Sequence, residues 1–219
     1  MGLAASFGLH AVAVEATAAA PDEKIELFNG ADFTGWKLFI PDANVDPATV
    51  WSVADGGVVH CTGSPAGYMR TTEKYCDYRL TFEWRWPGDK GGNSGCLIHV
   101  QDVDEVWPKS IEGQLQSENA ADIWVIGGAD FNEHTNKDDR RVPKRMDHNE
   151  KPLGEWNHYE VIADGDTITL TINGRLQNVA TGTTLTEGYI GLQSEGTPIE
   201  FRNIVLEPLK DKEEERKER

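Results

Sequence analysis

Residues 79–101 read RLTFEWRWPGDKGGNSGCLIHVQ, and residues 110–116 read SIEGQLQ. Thr81, Glu83 and Arg85 alternate with Leu80, Phe82, Trp84 and Trp86. Glu112, Gln114 and Gln116 alternate with Ile111 and Leu115 in the same way. Period two is the signature of a strand, whose successive side chains point to opposite faces. Each apolar set therefore predicts a core face, and each polar set the opposite face of a sheet. An acid, amides and a guanidinium on one sheet face predict a groove for a polar ligand, and a sugar fits that description.

Working outward, the chain from Ile25 onward is a series of short strand-like runs broken by Gly, Asn, Asp and Pro. The pattern predicts strands over 49–53, 57–62, 78–86, 95–100, 110–116, 122–125, 157–164, 167–172, 188–193 and 199–208. Asp55-Gly56-Gly57, Asp164-Gly165-Asp166 and Asn173-Gly174 supply the positive-φ residues that tight hairpins require. No amphipathic helix of three turns precedes the C-terminal tail. Many short antiparallel strands at this length predict an all-β sandwich of two sheets, one of them concave.

A chain of 219 residues suffices for one substantial core, expected over 25–209. Thirty-seven acidic against 21 basic residues give a formal charge of −16. That balance argues against nucleic acid, whose phosphates must be neutralised by excess Lys and Arg, and against anionic membrane surfaces. Beyond residue 24 no stretch approaches the ~20 apolar residues of a membrane span. Cys61, Cys76 and Cys96 form no CxxC pair, so the expectation is buried free thiols, with a Cys61–Cys76 bridge as the alternative in an oxidising compartment.

Residues 1–24 are Ala-rich and end in an A-x-A-like stretch before Pro21, which resembles the latter part of a secretory signal peptide. The expectation is an exported protein, periplasmic or in the cell envelope. Residues 129–154 form a long charged segment with Arg140, Arg141, Lys144 and Arg145, expected as a mobile rim of the groove. The tail, 210–219, alternates in charge and is expected as a solvated helix.

The sequence holds no GxSxG, no HExxH, no phosphate loop before a helix and no EF-hand loop. Gly91-Gly92-Asn93-Ser94-Gly95 sits between strands and predicts a bend that carries Asn93 over the sheet. His99 falls on the side of Gly95, Leu97 and Gln101, either as a hydrogen-bonded structural residue or as a site group. Sandwich-fold glucanases carry their carboxylates as E-x-D-x-E on one strand face. Here that spacing reads Glu112-x-Gln114-x-Gln116, so two acids are amides. An amide orients a hydroxyl but is neither nucleophile nor proton donor at neutral pH. The strand offers one acid/base, not a retaining pair.

These blocks resemble a family. They include Leu27 to Trp36 (LFNGADFTGW), Trp51-Ser52-Val53, Tyr75 to Leu80, Glu83-Trp84-Arg85, Gly92-Asn93-Ser94-Gly95, Glu112-x-Gln114, Gly154 to Asn157, Asn173-Gly174, and Gly191-Leu192-Gln193 followed by Phe201 to Ile204. Their order is similar to that of the 3-keto-disaccharide hydrolase family (3-keto-glucoside 1,2-lyase/3-keto-2-hydroxy-glucal hydratase). The chain has Ala121 where a Gly-Asp pair is common in that family. The resemblance implies a concanavalin A-like jelly roll in an exported bacterial protein.

It also implies a chemistry that a single acid can serve. A ketone at C3 acidifies the proton on C2, so a base can remove it and the C1 substituent leaves by β-elimination. Water then adds back at C1. On that reading Glu112 is the base, and Arg85 or His99 stabilises the enolate oxygen. Glu83 or a held water donates the proton to the leaving oxygen. Gln114, Asn93, Gln116 and Gln193 bind substrate hydroxyls, with Trp107 as an expected groove wall and Trp51 and Trp156 as core. No cofactor is evident. A divalent cation would suit the 3-oxo group, but no ligand spacing names its site, and Asp102, Asp104 and Glu105 read as a solvated cluster. The competing readings are a non-catalytic, lectin-like carbohydrate-binding module and a structural domain of the envelope.

Overall fold

The structure is a computed structural model that describes residues 17–209. Most of the leader expected over 1–24 and all of the tail over 210–219 lie outside the described residues. In chain order the strands are β1 (Ile25–Glu26), β2 (Trp36–Phe39), β3 (Trp51–Ala54), β4 (Val58–Cys61) and β5 (Gly67–Thr71). Next come β6 (Tyr78–Arg85), β7 (Gly95–Val100), β8 (Ser110–Gln114), β9 (Ile123–Ile126) and β10 (Arg141–Val142). The last five are β11 (Asn157–Asp164), β12 (Thr167–Ile172), β13 (Arg175–Ala180), β14 (Tyr189–Ser194) and β15 (Ile199–Pro208).

They form two antiparallel sheets. The back sheet runs β13-β12-β11-β6-β15-β4-β3, with β1 added along β15, and the front sheet runs β10-β9-β8-β7-β14-β5-β2. This is the two-sheet sandwich that the strand pattern predicts, and the jelly roll that the resemblance implies. All three hairpin signals fall at turns, and Asn173 and Gly174 both take positive φ (49° and 76°), as a two-residue hairpin between β12 and β13 demands.

The core lies between the sheets. Tyr78, Leu80, Phe82 and Trp84 of β6 meet Tyr159 and Val161 of β11 and the inner residues of the front sheet. Phe82 and Tyr159 stack with centroids 5.1 Å apart. Trp51 is in this core at 1% exposure, as expected. The three cysteines are free thiols, Cys61 and Cys96 buried.

The two sheets treat their outer faces differently. On β6 burial alternates strictly, so Arg79, Thr81, Glu83 and Arg85 are half-exposed on the back of the molecule. There they form an ion-pair ladder: Arg202 and Asn203 donate to Glu83 Oε2 (2.7 and 2.6 Å), and Arg85 donates to Glu200 (2.6 Å). Trp156, expected in the core, lies half-buried on this back face, where the guanidinium groups of Arg85 and Arg202 pack on its ring (4.6 and 4.1 Å to the centroid). By contrast β5, β7, β8 and β14 are buried on both faces. Loops cover the outer side of the front sheet, and that side holds the pocket.

Candidate active site

The register of the front sheet decides which side chains share its outer face. Glu112 pairs with Leu97 and Trp124, Gln114 with Gly95, and Gln193 with Tyr68. At the polar end a pocket is lined by Asn93, Trp107, Glu112, Gln114, Trp124, Ile126, Arg140 and Glu195, enclosing about 130 Å³. That is room for one sugar ring. A larger open basin of about 580 Å³ adjoins it and shares Asn93 and Glu195.

Glu112 is 5% exposed, and its Oε1 has no hydrogen-bond partner. It lies across Gly95 beside Gln193: a Cβ on Gly95 would come within 2.3 Å of Glu112 Oε1 and 2.4 Å of Gln193 Oε1. Glycine is what allows both side chains to reach the floor. The Gln193 amide is buried with both polar atoms unpartnered, and a half-turn exchanges its oxygen and nitrogen without altering its shape. It can therefore accept from a protonated Glu112 or donate to an ionised one. Burial, then the Glu195 carboxylate, pushes the Glu112 carboxyl up to about 8, against the pull of Gln193 and the Arg140 guanidinium.

Gln114 Oε1 accepts from the backbone N–H groups of Leu115 and Gln116. Its oxygen is thereby occupied, and its NH2 is the end left for a ligand. Asn93 Oδ1, Trp124 Nε1, Glu112 Oε1 and both polar atoms of Gln193 are buried without partners in or beside this one pocket. Seven other buried atoms without partners are scattered elsewhere among the described residues, so it is the grouping of these five around one pocket that suits a hydroxylated ligand.

Two loops wall the site. The segment between β7 and β8 is pinned to the sheet by Asp104, which accepts from Tyr68 (2.7 Å) and Arg70 (3.2 Å), and by Asp102, which accepts from Lys74 (2.8 Å). Of the acids expected as a solvated cluster, Asp102 and Glu105 are exposed as expected, while Asp104 is drawn in by Tyr68 and Arg70 and helps to fix the loop that carries Trp107. The charged segment 129–154 borders the site as expected, through Arg140 stacked 5.6 Å from the Trp124 centroid. It is fastened rather than loose: Arg141 Nε and the Lys144 N–H both donate to Asp122 (2.6 and 2.8 Å). Ala121, at the position where the family commonly has glycine, adopts φ 71° beside these bonds.

The structure brings together Glu112, Gln114, Asn93, Gln193 and Trp107 from the expected set. Gln116 is exposed and lines the adjoining basin. Three expected catalytic residues are elsewhere. Glu83 and Arg85 belong to the back sheet, so their alternation is genuine but their face is the far side of the sandwich. His99 takes φ 56° at a bulge, where the β7–β14 register slips, and this turns its ring inward. There its Nδ1 meets the Leu185 carbonyl (3.0 Å), its ring packs edge-on against Tyr78, and burial lowers its pKa to about 4.

Arg140 and Glu195 are the site residues that sequence reasoning missed. Glu195 continues the period-two series Gly191, Gln193, Glu195, a signal present in the sequence. Arg140 is one of six Lys and Arg residues between 129 and 154, and nothing local singles it out. Among the described residues no group of three or more His, Cys, Asp or Glu is arranged to hold a metal, and no helix is long and apolar enough to cross a membrane.

A jelly roll with one buried acid among amides, walled by tryptophans, defines a carbohydrate-active sandwich protein. The chain belongs to the family described as a 3-keto-alpha-glucoside-1,2-lyase-like domain, which matches residues 23–207. A 3-keto-disaccharide hydrolase of Bacteroides thetaiotaomicron is 24% identical over 86% of this chain and 79% of its own length. Among solved structures, a protein described as a glycosyl hydrolase from Parabacteroides distasonis superposes with a TM-score of 0.64 at 21% identity, over 86% of this chain and 95% of that one. The Bacillus licheniformis beta-glucanase shares the fold at a TM-score of 0.52 and 14% identity, over 84% and 97%.

Proposed function

We propose that the protein cleaves glycosides whose sugar already carries a ketone at C3, acting first as a lyase and then as a hydratase. One observation carries this reading: Glu112 is a buried carboxyl, unpartnered on Oε1, on a floor whose neighbouring groups are amides. A second carboxyl, Glu195, stands where the pocket meets the basin, so the substrate that the family names, and not the number of carboxyls, separates this reading from cleavage through an oxocarbenium ion, which takes two carboxyls flanking the bond. Removal of one carbon-bound proton takes a single base, and the family match and the Bacteroides relative both name 3-keto substrates.

In this reading the 3-keto ring enters the half-open pocket between Trp107 and Trp124. Glu112 takes the C2 proton, the C1–O bond breaks, and a C1=C2 double bond conjugated to the ketone forms. Water then adds at C1 and the proton returns to C2. The net change is addition of one water across the glycosidic bond. The Gln114 amide, Asn93 and Gln193 orient hydroxyls, and Arg140 is the positive charge for the developing enolate oxygen in place of Arg85 and His99. A carboxyl held near 8 is a stronger base than an ordinary one, though only about a tenth of it is ionised at pH 7. A lectin-like module would expose its acid in an open groove; here Glu112 is 5% exposed at the floor of a half-open pocket, which favours catalysis.

The test is incubation of the protein with 3-keto-trehalose and a 3-keto-glucoside, following the enone by absorbance and the release of 3-keto-glucose. Turnover by the wild type and its loss in Glu112→Gln are the expected results. A flat trace with several such substrates, or undiminished turnover by the variant, overturns the reading.

A further inference from the structure

We infer that Glu195 is a second catalytic residue, the proton donor to the oxygen leaving C1, and that the open basin beyond it receives the leaving group. The inference rests on the reaction proposed above and adds the group that reaction lacks once Glu83 is found on the back of the sandwich.

The geometry of two joined chambers supports it. The half-open pocket holds Glu112, and the open basin lies beside it. Only Asn93 and Glu195 line both, so these residues stand at the threshold where a ring in the pocket is joined to its substituent. Bridge pairing of Asn93 with Glu195 and Gly196 fixes that threshold. Glu195 follows directly on β14, two residues beyond Gln193, so it is held by the same strand that seats the amide next to Glu112. It is half-buried, and no Lys, Arg or His pairs with it among the described residues. Its pKa is raised by burial, against the Asn93 hydrogen bond, but it is the Glu195 carboxylate that raises Glu112, so the shared proton rests mainly on Glu112 and the reacting form is the minor one with that proton on Glu195. A base whose Oε1 is buried and unpartnered therefore faces the same space as a carboxyl at the boundary with the basin.

The two acids close a cycle in which atoms balance. In the elimination Glu112 gains the C2 proton, the electrons of C2–H form C1=C2, and the electrons of C1–O leave on oxygen, which takes the Glu195 proton. In the hydration the Glu195 carboxylate takes a proton from water as the hydroxyl bonds to C1, and Glu112 returns its proton to C2. Both carboxyls end as they began. Like charges sharing a site disfavour double ionisation, so one proton between them over the neutral range is the state such chemistry needs.

The basin also specifies what departs. Besides the shared residues it is lined by three glycines and by Gln116, Ser117, Glu118 and Thr197, with no aromatic side chain. Hydroxyls and backbone groups suit a second sugar or another polyol, and an aryl or alkyl group finds no apolar wall there. Gln116, expected to bind substrate, takes the leaving group's hydroxyls in this arrangement.

The experiment compares leaving groups. Wild type, Glu195→Gln and Glu112→Gln are assayed for kcat/KM on a 3-keto-disaccharide and on 4-nitrophenyl 3-keto-glucoside. Nitrophenolate departs without protonation, whereas a sugar alkoxide does not. Glu195→Gln is expected to lose roughly 10²- to 10³-fold on the disaccharide and to change by less than tenfold on the nitrophenyl substrate, which also shows that the variant is folded. Glu112→Gln is expected to lose activity on both. Equal losses by Glu195→Gln on the two substrates, or no loss on either, overturn its role as donor. If the wild type turns over neither substrate, the parent reaction fails instead. For the basin, the wild type is expected to prefer a sugar over an octyl leaving group, and the reverse preference overturns that half of the inference.

Discussion

Two strands of this protein carry an acid flanked at alternate positions by polar groups, and they have opposite fates. On β6, Glu83 sits on the back face, where burial would raise its pKa but hydrogen bonds from Arg202 and Asn203 prevail and hold the carboxyl below its ordinary value. On β8, Glu112 is sealed under loops with amides for neighbours, and its carboxyl is pushed up to about 8. The residue type and strand geometry are the same. What differs is the company: cations and solvent satisfy one carboxylate, while burial and unpaired amides leave the other short of partners. A satisfied acid contributes to the fold, and an unsatisfied one is available for chemistry.

The sharpest way to break this contrast is to neutralise each acid. Glu112→Gln is expected to lower kcat/KM on a 3-keto-glucoside by roughly 10³-fold or more, the scale of a lost general base. Glu83→Gln is expected to leave kcat/KM within twofold of wild type. Steady-state rates on both variants decide it, and a large loss in Glu83→Gln would mean that the back face takes part.

A smaller effect is expected from Gly95→Ala. The new methyl would collide with the Glu112 carboxyl and the Gln193 amide, both far ends of flexible side chains, so they shift and the backbone does not. Activity should fall roughly 10- to 100-fold, because displacing a reacting group by about 1 Å costs on that order. The melting temperature should move little. A variant with wild-type rates would show that the floor is not confined as described.

Why one acid was legible in the sequence and the other misleading follows from the same contrast. Alternation gives the face of a strand but not which sheet the strand joins, and β6 and β8 pair with different partners. Thus Glu112, Gln114, Asn93 and Gln193 were legible, while Glu83 and Arg85 carried the same signal on the wrong sheet. His99 escaped because a bulge inverts the alternation it was read from. Of the strands that the pattern does not predict (β1, β2, β5, β10 and β13), β5 and β13 have a related reason. β5 is buried on both faces and shows no period, and β13 buries Gln177 and Asn178, which read as surface residues. Arg140 is placed at the pocket by the Val125 N–H bond to its carbonyl, the β10–β9 pairing and the pinning of Arg141 on Asp122, long-range contacts with no local mark.

Stability should separate the two acids by sign. For Glu112 the folded value lies near 8 and the unfolded value near 4.3, so between them the folded state holds a proton that the unfolded state has released, and stability falls as pH rises. Glu112→Gln removes that decline and is expected to be more stable at pH 7, by about 1–3 kcal/mol, with no gain near pH 4. Glu83 is the reverse case: its folded value is depressed, so its contribution is present at neutral pH and lost in acid. Glu83→Gln is expected to cost about 0.5–1 kcal/mol at pH 7, a small sum because the ladder is partly solvated. Urea unfolding of the three proteins at pH 4 and pH 7 measures both; destabilisation by Glu112→Gln at pH 7 would show that its carboxyl is satisfied after all.

The smallest expected effect tunes the unsatisfied acid without removing it. Only ionised Glu112 can take the C2 proton, so kcat/KM on the nitrophenyl substrate, which needs no proton donor, should climb with pH towards a midpoint near 8. The charged groups that act on this carboxyl are Glu195, which raises it, and Arg140, which lowers it. Arg140→Ala should therefore move the midpoint upward and Glu195→Gln downward, each by less than one pH unit and so by less than tenfold in rate at pH 7. Arg140→Ala also withdraws charge from the enolate, which lowers the plateau but cannot move the midpoint, so the full profile separates the two effects. A midpoint that ignores both substitutions would place the titrating group outside the pocket, and the distinction between the two faces would then rest on burial alone.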